Sequence, residues 1–483
     1  MQQIKVIIGA SYGDEGKGLA ADFFCAQAAR KHNTGSGRLL LPGTARAAAD
    51  VINVLTNGGP QRGHTVELED GRRHVFKHFG AASFRGAAIY FDRQFMINPM
   101  EFIREADELC AMNTFPEAYV NPYCRFTTPW DMLINQMLQE KRGNRSSCGF
   151  GIWETVLRYQ RGWGIPFAAF AAMNREDRTA WLRRVRDGYF TARIREITQA
   201  ENSGMIRCAE TIENAGFKGI LKGEDTQNAA LCHENTGMEG KTSSAAGDWM
   251  TKKSAAAEEC KASGLAAGLQ DFFFTEELLF HFEEDCESMR LLCPMRDEGF
   301  LRHFRTVLFE NAQGLLLDGN AAGAEAFTTP STTGIGRVFR TVEKVFKGAD
   351  VEVCYVTRSY LTRHGDGNLE NEIPDRQLGA LLPGICGDQT NVDNCFQGKL
   401  RYGMMDTTLL TQRILADFSK CGRAAANRFR PSVMITHLNE HARIDTDSLA
   451  DQFGRLYFSD GRTAGDVTAF RSEAAVRDAA IIA

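Results

Sequence analysis

The chain has 483 residues, a formal net charge of −5 and 24% charged residues, a balance that supplies no basic surface for nucleic acid. Its 43% hydrophobic content predicts a packed globular core, and no apolar run is long enough to suggest a membrane span. Thirteen cysteines without a Cys-x-x-Cys pair, and no signal-peptide pattern, predict reduced thiols and a cytoplasmic protein.

Val6-Ile7-Ile8 is a short apolar run that predicts a buried strand. It leads into residues 9–18, Gly9-Ala-Ser-Tyr-Gly-Asp-Glu-Gly-Lys-Gly18, and residues 19–25 predict a helix. Strand, glycine loop and helix N-terminus together make a phosphate cradle. Backbone N–H groups can approach an anion there, the helix dipole favours negative charge, and Lys17 adds a cation. Asp14 and Glu15 would repel phosphate unless one holds Mg²⁺ or works as a base. The spacing is not that of the ordinary P-loop, because Gly18 follows Lys17 where Ser or Thr is required. Alone, such a loop also suits a plain strand–helix connection.

Residues 26–50 have turn chemistry without a clear period and predict an inserted loop. Residues 51–56 predict a strand ending in Asn57-Gly-Gly-Pro-Gln-Arg-Gly-His-Thr65, a polar glycine-rich turn where α/β proteins place ligands. On its own, His64 reads as an ordinary loop residue. Residues 66–78 predict a hairpin, and residues 98–109 a helix with proline near its start. Residues 201–270, rich in Ala, Gly, Ser, Lys and Glu, predict a second insertion that carries no chemistry. A core-facing helix is expected over residues 272–284. Strand, turn and a second apolar segment are expected over residues 306–318, and further strands over 351–357 and 433–439. The alternation of strand, loop and helix predicts an α/β protein.

Several of these segments, in this order, resemble the adenylosuccinate synthetase family. The first loop resembles its Trp-Gly-Asp-Glu-Gly-Lys-Gly signature, with Tyr12 in the Trp place. Residues 57–65 resemble Gly-Gly-x-Asn-x-Gly-His-Thr: Gly58, Gly59, Gly63, His64 and Thr65 match, Gln61 replaces Asn, and Arg62 replaces a small residue. Residues 141–158 resemble a 5′-phosphate loop. Ser146 and Ser147 keep its hydroxyls, and Arg158 falls where the family has an arginine that reaches the neighbouring subunit's nucleotide. Glu310-Asn-Ala-Gln-Gly-Leu-Leu-Leu-Asp318 resembles Glu-Gly-Ala-Gln-Gly-x-Leu-Leu-Asp. Residues 328–336 resemble a hydroxyl-rich loop, and residues 362–367 resemble Thr-Arg-x-Gly-x-Gly. Residues 397–406 resemble a thinned form of the arginine-rich loop that grips aspartate. His437 and Asn439 fall in the Thr-Lys-Leu-Asp base-recognition motif, and residues 459–463 resemble the closing nucleotide loop.

The resemblance implies a single large α/β domain around a mostly parallel central sheet, with a P-loop-like nucleotide site, insertions at 26–50 and 201–270, and a homodimer. It implies a purine nucleotide ligase that condenses IMP with L-aspartate through 6-phosphoryl-IMP, giving adenylosuccinate, a nucleoside diphosphate and phosphate. Asp14, Lys17, His64 and Gln313 would be catalytic, with Asp14 the base. Gly13, Glu15, Gly16, Lys17, Gly18, Gly63, Thr65, His437, Asn439, Ser459 and Gly461 would bind the triphosphate. Gln61, Ser146, Ser147, Arg158, Gln313, Thr328 and Arg363 would bind the purine monophosphate, and Lys399 and Arg401 the aspartate. Asp14 and Gly63 would meet Mg²⁺.

The donor stays open between GTP, ATP and dATP. Asn439 offers one carbonyl acceptor and an NH₂ donor where the family's Asp accepts from guanine. The acceptor also has an alternative, dGMP, which viral relatives convert to 2-amino-deoxyadenylosuccinate. Gln61, Asn439, the thinned arginine loop and the insertions favour that branch, whereas retention of Asp14 favours IMP. A reading of another class is a catalytically silent nucleotide-binding regulator; Asp14, Lys17, His64 and Gln313 together count against it. A generic P-loop hydrolase is opposed by the missing Ser or Thr after Lys17.

Overall fold

The structure, a computed structural model, describes residues 2–33, 50–142, 147–202, 273–320, 328–385, 391, 398–422, 427–441 and 443–471. Strand β1 (Gln3–Gly9) sends Ile4, Val6 and Ile8 into one apolar layer and Ile7 into the other. Because both faces are covered, the sequence shows a continuous apolar run and not an alternation. In chain order the further strands are β2 (Val51–Leu55), β3 (His64–Glu67), β4 (Arg73–Phe76), β5 (Ala88–Phe91), β6 (Met96–Ile97), β7 (Ala118–Val120), β8 (Arg125–Phe126), β9 (Thr306–Gly314), β10 (Val351–Arg358), β11 (Leu361–His364), β12 (Leu400–Gly403), β13 (Phe429–Thr436), β14 (Arg455–Ser459) and β15 (Val467–Arg471).

Nine of them form one sheet in the order β15-β14-β13-β10-β1-β9-β2-β5-β7. Every neighbouring pair is parallel except β14 and β15. The expected mostly parallel central sheet is therefore present. Helices cover both faces. On one side lie α1 (Lys17–Asn33), α2 (Pro99–Ala111), α3 (Pro129–Arg142) and, beyond α4 (Ile152–Gln160), α5 (Glu276–Leu292). They bury Phe24, Phe102, Leu133 and Phe282. On the other side lie α6 (Ile335–Val345) and α7 (Thr407–Phe418), which bury Val338, Val342, Leu410 and Ile414. Helix α2 starts as its sequence predicts: Pro99 is at its first turn, and the Asn98 side chain accepts from the Glu101 N–H.

One boundary differs from expectation. Helix α1 runs to Asn33, so residues 26–33 are helix and not the start of an inserted loop. Ala26, Ala28 and Ala29 pack closely against the core, and small residues at helical spacing hide the period that larger ones would show. The remainder of the first expected insertion, and most of the second, lies outside the described residues. Cys25, Cys124, Cys148, Cys286, Cys293, Cys354 and Cys421 are free thiols, whereas Cys110 is disulfide-bonded, against the expectation of thiols throughout. Among the described residues no helix is long and apolar enough to cross a membrane.

Candidate active site

Strand β1 is flanked by β9 and β10, both about three hundred residues away in sequence, and the loops that follow these strands meet at its C-terminal end. The loop between β1 and α1 is braced from within. The Glu15 carboxylate accepts from the N–H groups of Ser11 (2.9 Å) and Gly13 (2.7 Å), and Lys17 donates to the Gly13 carbonyl at 2.6 Å. The Thr436 hydroxyl, at the end of β13, donates to the Glu15 carbonyl at 2.9 Å. Glu15 thus acts as a strut of the loop, its carboxylate taking two of the N–H groups that would face an anion. Gly18 lies so close to β3 that an added Cβ would stand 2.3 Å from the Thr65 carbonyl oxygen.

A cavity opens beside this loop. Gly13, Asp14, Gly16, Lys17, Gly18, Gly63, His64, Thr65, His437, Asn439 and Gly461 all line it, joined by Arg358, Thr436, Glu440 and Arg462. Burial lifts the Asp14 carboxyl above the ordinary carboxylate range, against the pull of His364 and Arg358 and with help from Glu15. Arg358 Nε donates to the Asp14 carbonyl, and its Nη1 to the Tyr360 hydroxyl at 3.1 Å. His64 Nδ1 lies 2.5 Å from Glu310 Oε1, and Arg62 pairs with the same carboxylate oxygen. Burial first, then the charge of Arg62, holds the His64 imidazole down to about 3. Burial pushes Glu310 upward, but the charge of Arg62 and the bond from His64 outweigh it and hold the carboxyl at about 2.

At the far end of the cavity His437 has φ +60°, and Gln313, near its inner wall, has φ +64°. For residues with a Cβ this left-handed backbone costs on the order of 1–2 kcal/mol, so the surrounding structure imposes it. His437 Nδ1 meets the Thr436 hydroxyl at 2.8 Å. Ser459 is fully buried behind the wall, where its hydroxyl donates to the Gly461 carbonyl at 2.9 Å.

The expected monophosphate residues divide. Gln61 donates to the Thr329 hydroxyl at 3.3 Å, Gln313 donates to the Gln61 carbonyl at 3.5 Å, and the Thr328 carbonyl accepts from the half-exposed Trp153 indole at 3.1 Å. These form one cluster next to the cavity, because Gly13 packs on Gln313 so tightly that a Cβ would stand 3.2 Å from its Cα. The Ser147 hydroxyl donates to Asn135 at 3.0 Å; Ser146 lies outside the described residues. Arg158, expected to reach a neighbouring subunit's nucleotide, is packed into the interior of its own chain. It is fully buried, binds both oxygens of Asp131, and donates to the Phe126 carbonyl at 2.7 Å and the Trp163 carbonyl at 3.2 Å. Each nitrogen of the guanidinium is thus engaged inside its own chain.

Arg363 and Arg401 are direct partners across the antiparallel ladder of β11 and β12. Arg363 lies over the Tyr12 ring at 5.1 Å and donates to the Asn368 carbonyl. Arg401 binds Glu372 at 2.9 Å and Lys399 pairs with Asp375, so both expected aspartate-binding cations hold a carboxylate of this chain.

Residues 286–417 match the family model described as adenylosuccinate synthetase. The fold agrees along the whole chain. The fully ligated adenylosuccinate synthetase of Plasmodium falciparum superposes with a TM-score of 0.54 at 14% identity, covering 97% of this chain and 87% of that one. The cyanophage S-2L succinoaminodeoxyadenylate synthetase (PurZ), bound to dGMP and dATP, gives 0.52 at 13% identity, covering 100% and 99%. Over residues 286–417 the chain is thus similar to the adenylosuccinate synthetase family, and its fold is that of the two synthetases along nearly the whole chain. Sequence likeness to members of that family is short. The enzyme of Synechocystis sp. is 25% identical over 163 residues, 33% of this chain and 32% of that one. That of Borrelia duttonii is 23% identical over 140 residues, 29% and 27%. The matched stretch thus spans under a third of these relatives' length.

Motif reading places Glu310 and Thr436 inside matched segments without giving either a role, and it leaves out Arg358, which ends an apolar strand. A buried carboxylate such as Glu310 in an otherwise apolar run is itself a signal, since it must find a cation or donors nearby. Which donors it finds is not written locally.

Proposed function

We propose that the chain is a nucleoside triphosphate-dependent purine ligase that joins IMP to L-aspartate. The observation that supports this best is the contact between the two halves of the site. The Asp14 loop, with Lys17 and His64 on the same cavity, abuts the cluster of Gln61, Gln313 and Thr329. A donor triphosphate in the cavity and a purine in the cluster would place the reacting groups side by side.

In this reading Asp14 removes the N1 proton of IMP, and the 6-oxygen attacks the γ-phosphorus as the diphosphate leaves. A raised carboxyl suits a base that must be ionised near neutrality yet hold a proton afterwards. The aspartate amine then displaces phosphate from C6 to give adenylosuccinate. Lys17 and the loop N–H groups not taken by Glu15 offset charge on the phosphates. His64 Nε2 is the ring atom left for the cavity, since Nδ1 is engaged by Glu310. The aspartate carboxylates need cations; Arg363 and Arg401 stand opposite each other on one ladder, and Arg401 would exchange Glu372 for a substrate carboxylate.

The donor set fits Mg²⁺. Asp14 and Gly63 both line the cavity and offer oxygen, and among the described residues no cluster of three or more His, Cys, Asp or Glu could hold a metal by itself. Mg²⁺ commonly takes one or two carboxylates and completes its shell with phosphate and water. Asp14 and the Gly63 carbonyl would hold the ion, which would supply positive charge to offset that of the phosphates.

A second reading, dGMP as acceptor, is favoured by one observation: Gln61, in place of the family's Asn, sits in the cluster with Gln313 and Thr329. Mass spectrometry separates the two. IMP and dGMP are each incubated with GTP, ATP or dATP, Mg²⁺ and aspartate. Adenylosuccinate from IMP is expected. Product from dGMP alone would establish the second reading, and no product from folded protein would favour a silent nucleotide-binding regulator. A homodimer, implied by the family, is checked by sedimentation.

A further inference from the structure

Arg62 stands where the family carries a small residue, and it is buried to 3% exposure. Its Nη2 pairs with Glu310 Oε1, and neither side chain meets solvent. The same oxygen is hydrogen-bonded to His64 Nδ1, so one of the two atoms carries the proton. Glu310 faces the guanidinium through Oε1, and through Oε2 it accepts from the Ala81 N–H at 3.2 Å, so it is the ionised partner. The proton therefore belongs to Nδ1. The 3.0 Å approach of Arg62 Nη2 to Nδ1 is then a charge contact and not a second hydrogen bond. Arg62 Nε and Nη1 have no hydrogen-bond partner among the described residues. A guanidinium buried with one arm bonded is a poor stabiliser, so packing alone does not account for it.

We propose that Arg62 is a positioning residue of the active site. By pinning the Glu310 carboxylate it holds the His64 ring in the Nδ1–H tautomer, with Nε2 turned to the triphosphate cavity. The charged groups that act on His64 are Arg62, Glu310 and Lys17, and Arg62 acts on His78 as well. Arg62 thus acts through Glu310 on the orientation of His64 and touches no reacting atom. The kinetic arm of the test rests on the ligase reading; the spectroscopic arm does not.

The full chain is labelled with ¹⁵N-histidine, His64 is assigned with His64→Gln, and the ring nitrogens are observed in the unsubstituted protein, Arg62→Met and Arg62→Lys. The unsubstituted protein should show protonated Nδ1 and bare Nε2. Arg62→Met should lose that single pattern, and Arg62→Lys should keep it in part. In the product assay Arg62→Met should lower kcat about 10–100-fold with nucleotide KM values within about threefold, and Arg62→Lys should recover part of the loss. An Nε2–H tautomer in the unsubstituted protein overturns the proposal without any variant. So does an unchanged ring pattern in Arg62→Met, or in Arg62→Lys together with Arg62→Gln should Arg62→Met fail to fold. A protein that makes no product but shows the expected ring patterns would sink the ligase reading and leave the positioning role standing.

Discussion

Arg158 Nη2 lies 2.9 Å from Asp131 Oδ2, and both side chains are closed to solvent. Asp131 also accepts from the Thr128 N–H and hydroxyl, each at 2.9 Å, so the pair ties α4 to the start of α3. Removing one partner leaves the other charge buried and alone. Arg158→Ala is expected to destabilise the protein by about 3–5 kcal/mol, read from urea unfolding, while Arg158→Met with Asp131→Leu loses much less. A loss below about 1 kcal/mol from the single variant would contradict the buried-pair account.

Asp14→Asn is expected to move stability and turnover in opposite directions. The folded-state carboxyl is raised, so the folded protein holds its proton more tightly than the unfolded chain does. Stability from this group is therefore fully present below the ordinary carboxylate value and is lost as pH rises from there through the raised folded-state value. At neutral pH the ionised side chain is a burden that asparagine removes. The variant should melt at a higher temperature than the parent near pH 7.5, with the gap closing near pH 3, and should lose ligase turnover by at least about 100-fold. A lower melting temperature with turnover retained would reverse both assignments.

Acid should loosen the site early. His64 and His78 are each held down to about 3 from 6.5, by burial and then by Arg62. Below pH 6.5 the unfolded imidazoles bind protons that the folded ones do not, so stability falls as pH drops toward 3. Glu310, at about 2 against an ordinary 4.5, adds a loss of the same sign over the lower part of that window. Urea midpoints should fall steadily from about pH 6.5 to 4, and His64→Gln should flatten the slope. A profile level to pH 4.5 would argue that these rings are not buried neutral.

Gly18→Ala places a Cβ where the Thr65 carbonyl oxygen already stands, 2.3 Å away. The clash is with backbone, so α1 or β3 must shift. Destabilisation of about 1–3 kcal/mol is expected, with weakened triphosphate binding by calorimetry. Unchanged binding would mean that the hairpin moves freely against the loop.

Asn439 lines the cavity beside His437. Asn439→Asp supplies a second acceptor in place of an NH₂ donor, which suits the N1–H and 2-amino group of guanine. The variant should shift the donor preference toward GTP over ATP by about 10-fold or more. No shift in the ratio of kcat/KM values would place the base elsewhere.

The α/β class and the strand–loop–helix of residues 3–25 are legible in the sequence because apolar runs and glycine spacing are local signals, whereas the alanine-rich end of the helix to Asn33 is not. The hairpin of β3 and β4 and the cap of α2 are legible for the same reason. His64, Lys17 and Asp14 could be singled out only because a stretch of particular residues resembles a known loop. Their neighbours could not. Asp131 pulls Arg158 inward, Asp375 takes Lys399, and Glu310 passes beneath His64 from a strand 246 residues away. A charged side chain settles on the partner that removes its desolvation penalty, and that partner is set by how distant strands stack in the sheet. Apolar runs and glycine spacing are enough to locate the elements and the glycine loop. Which charges face the cavity and which are consumed in holding it together follows from the folding of distant strands beside one another, because ion pairing depends on distance in space and the chain records only distance along itself.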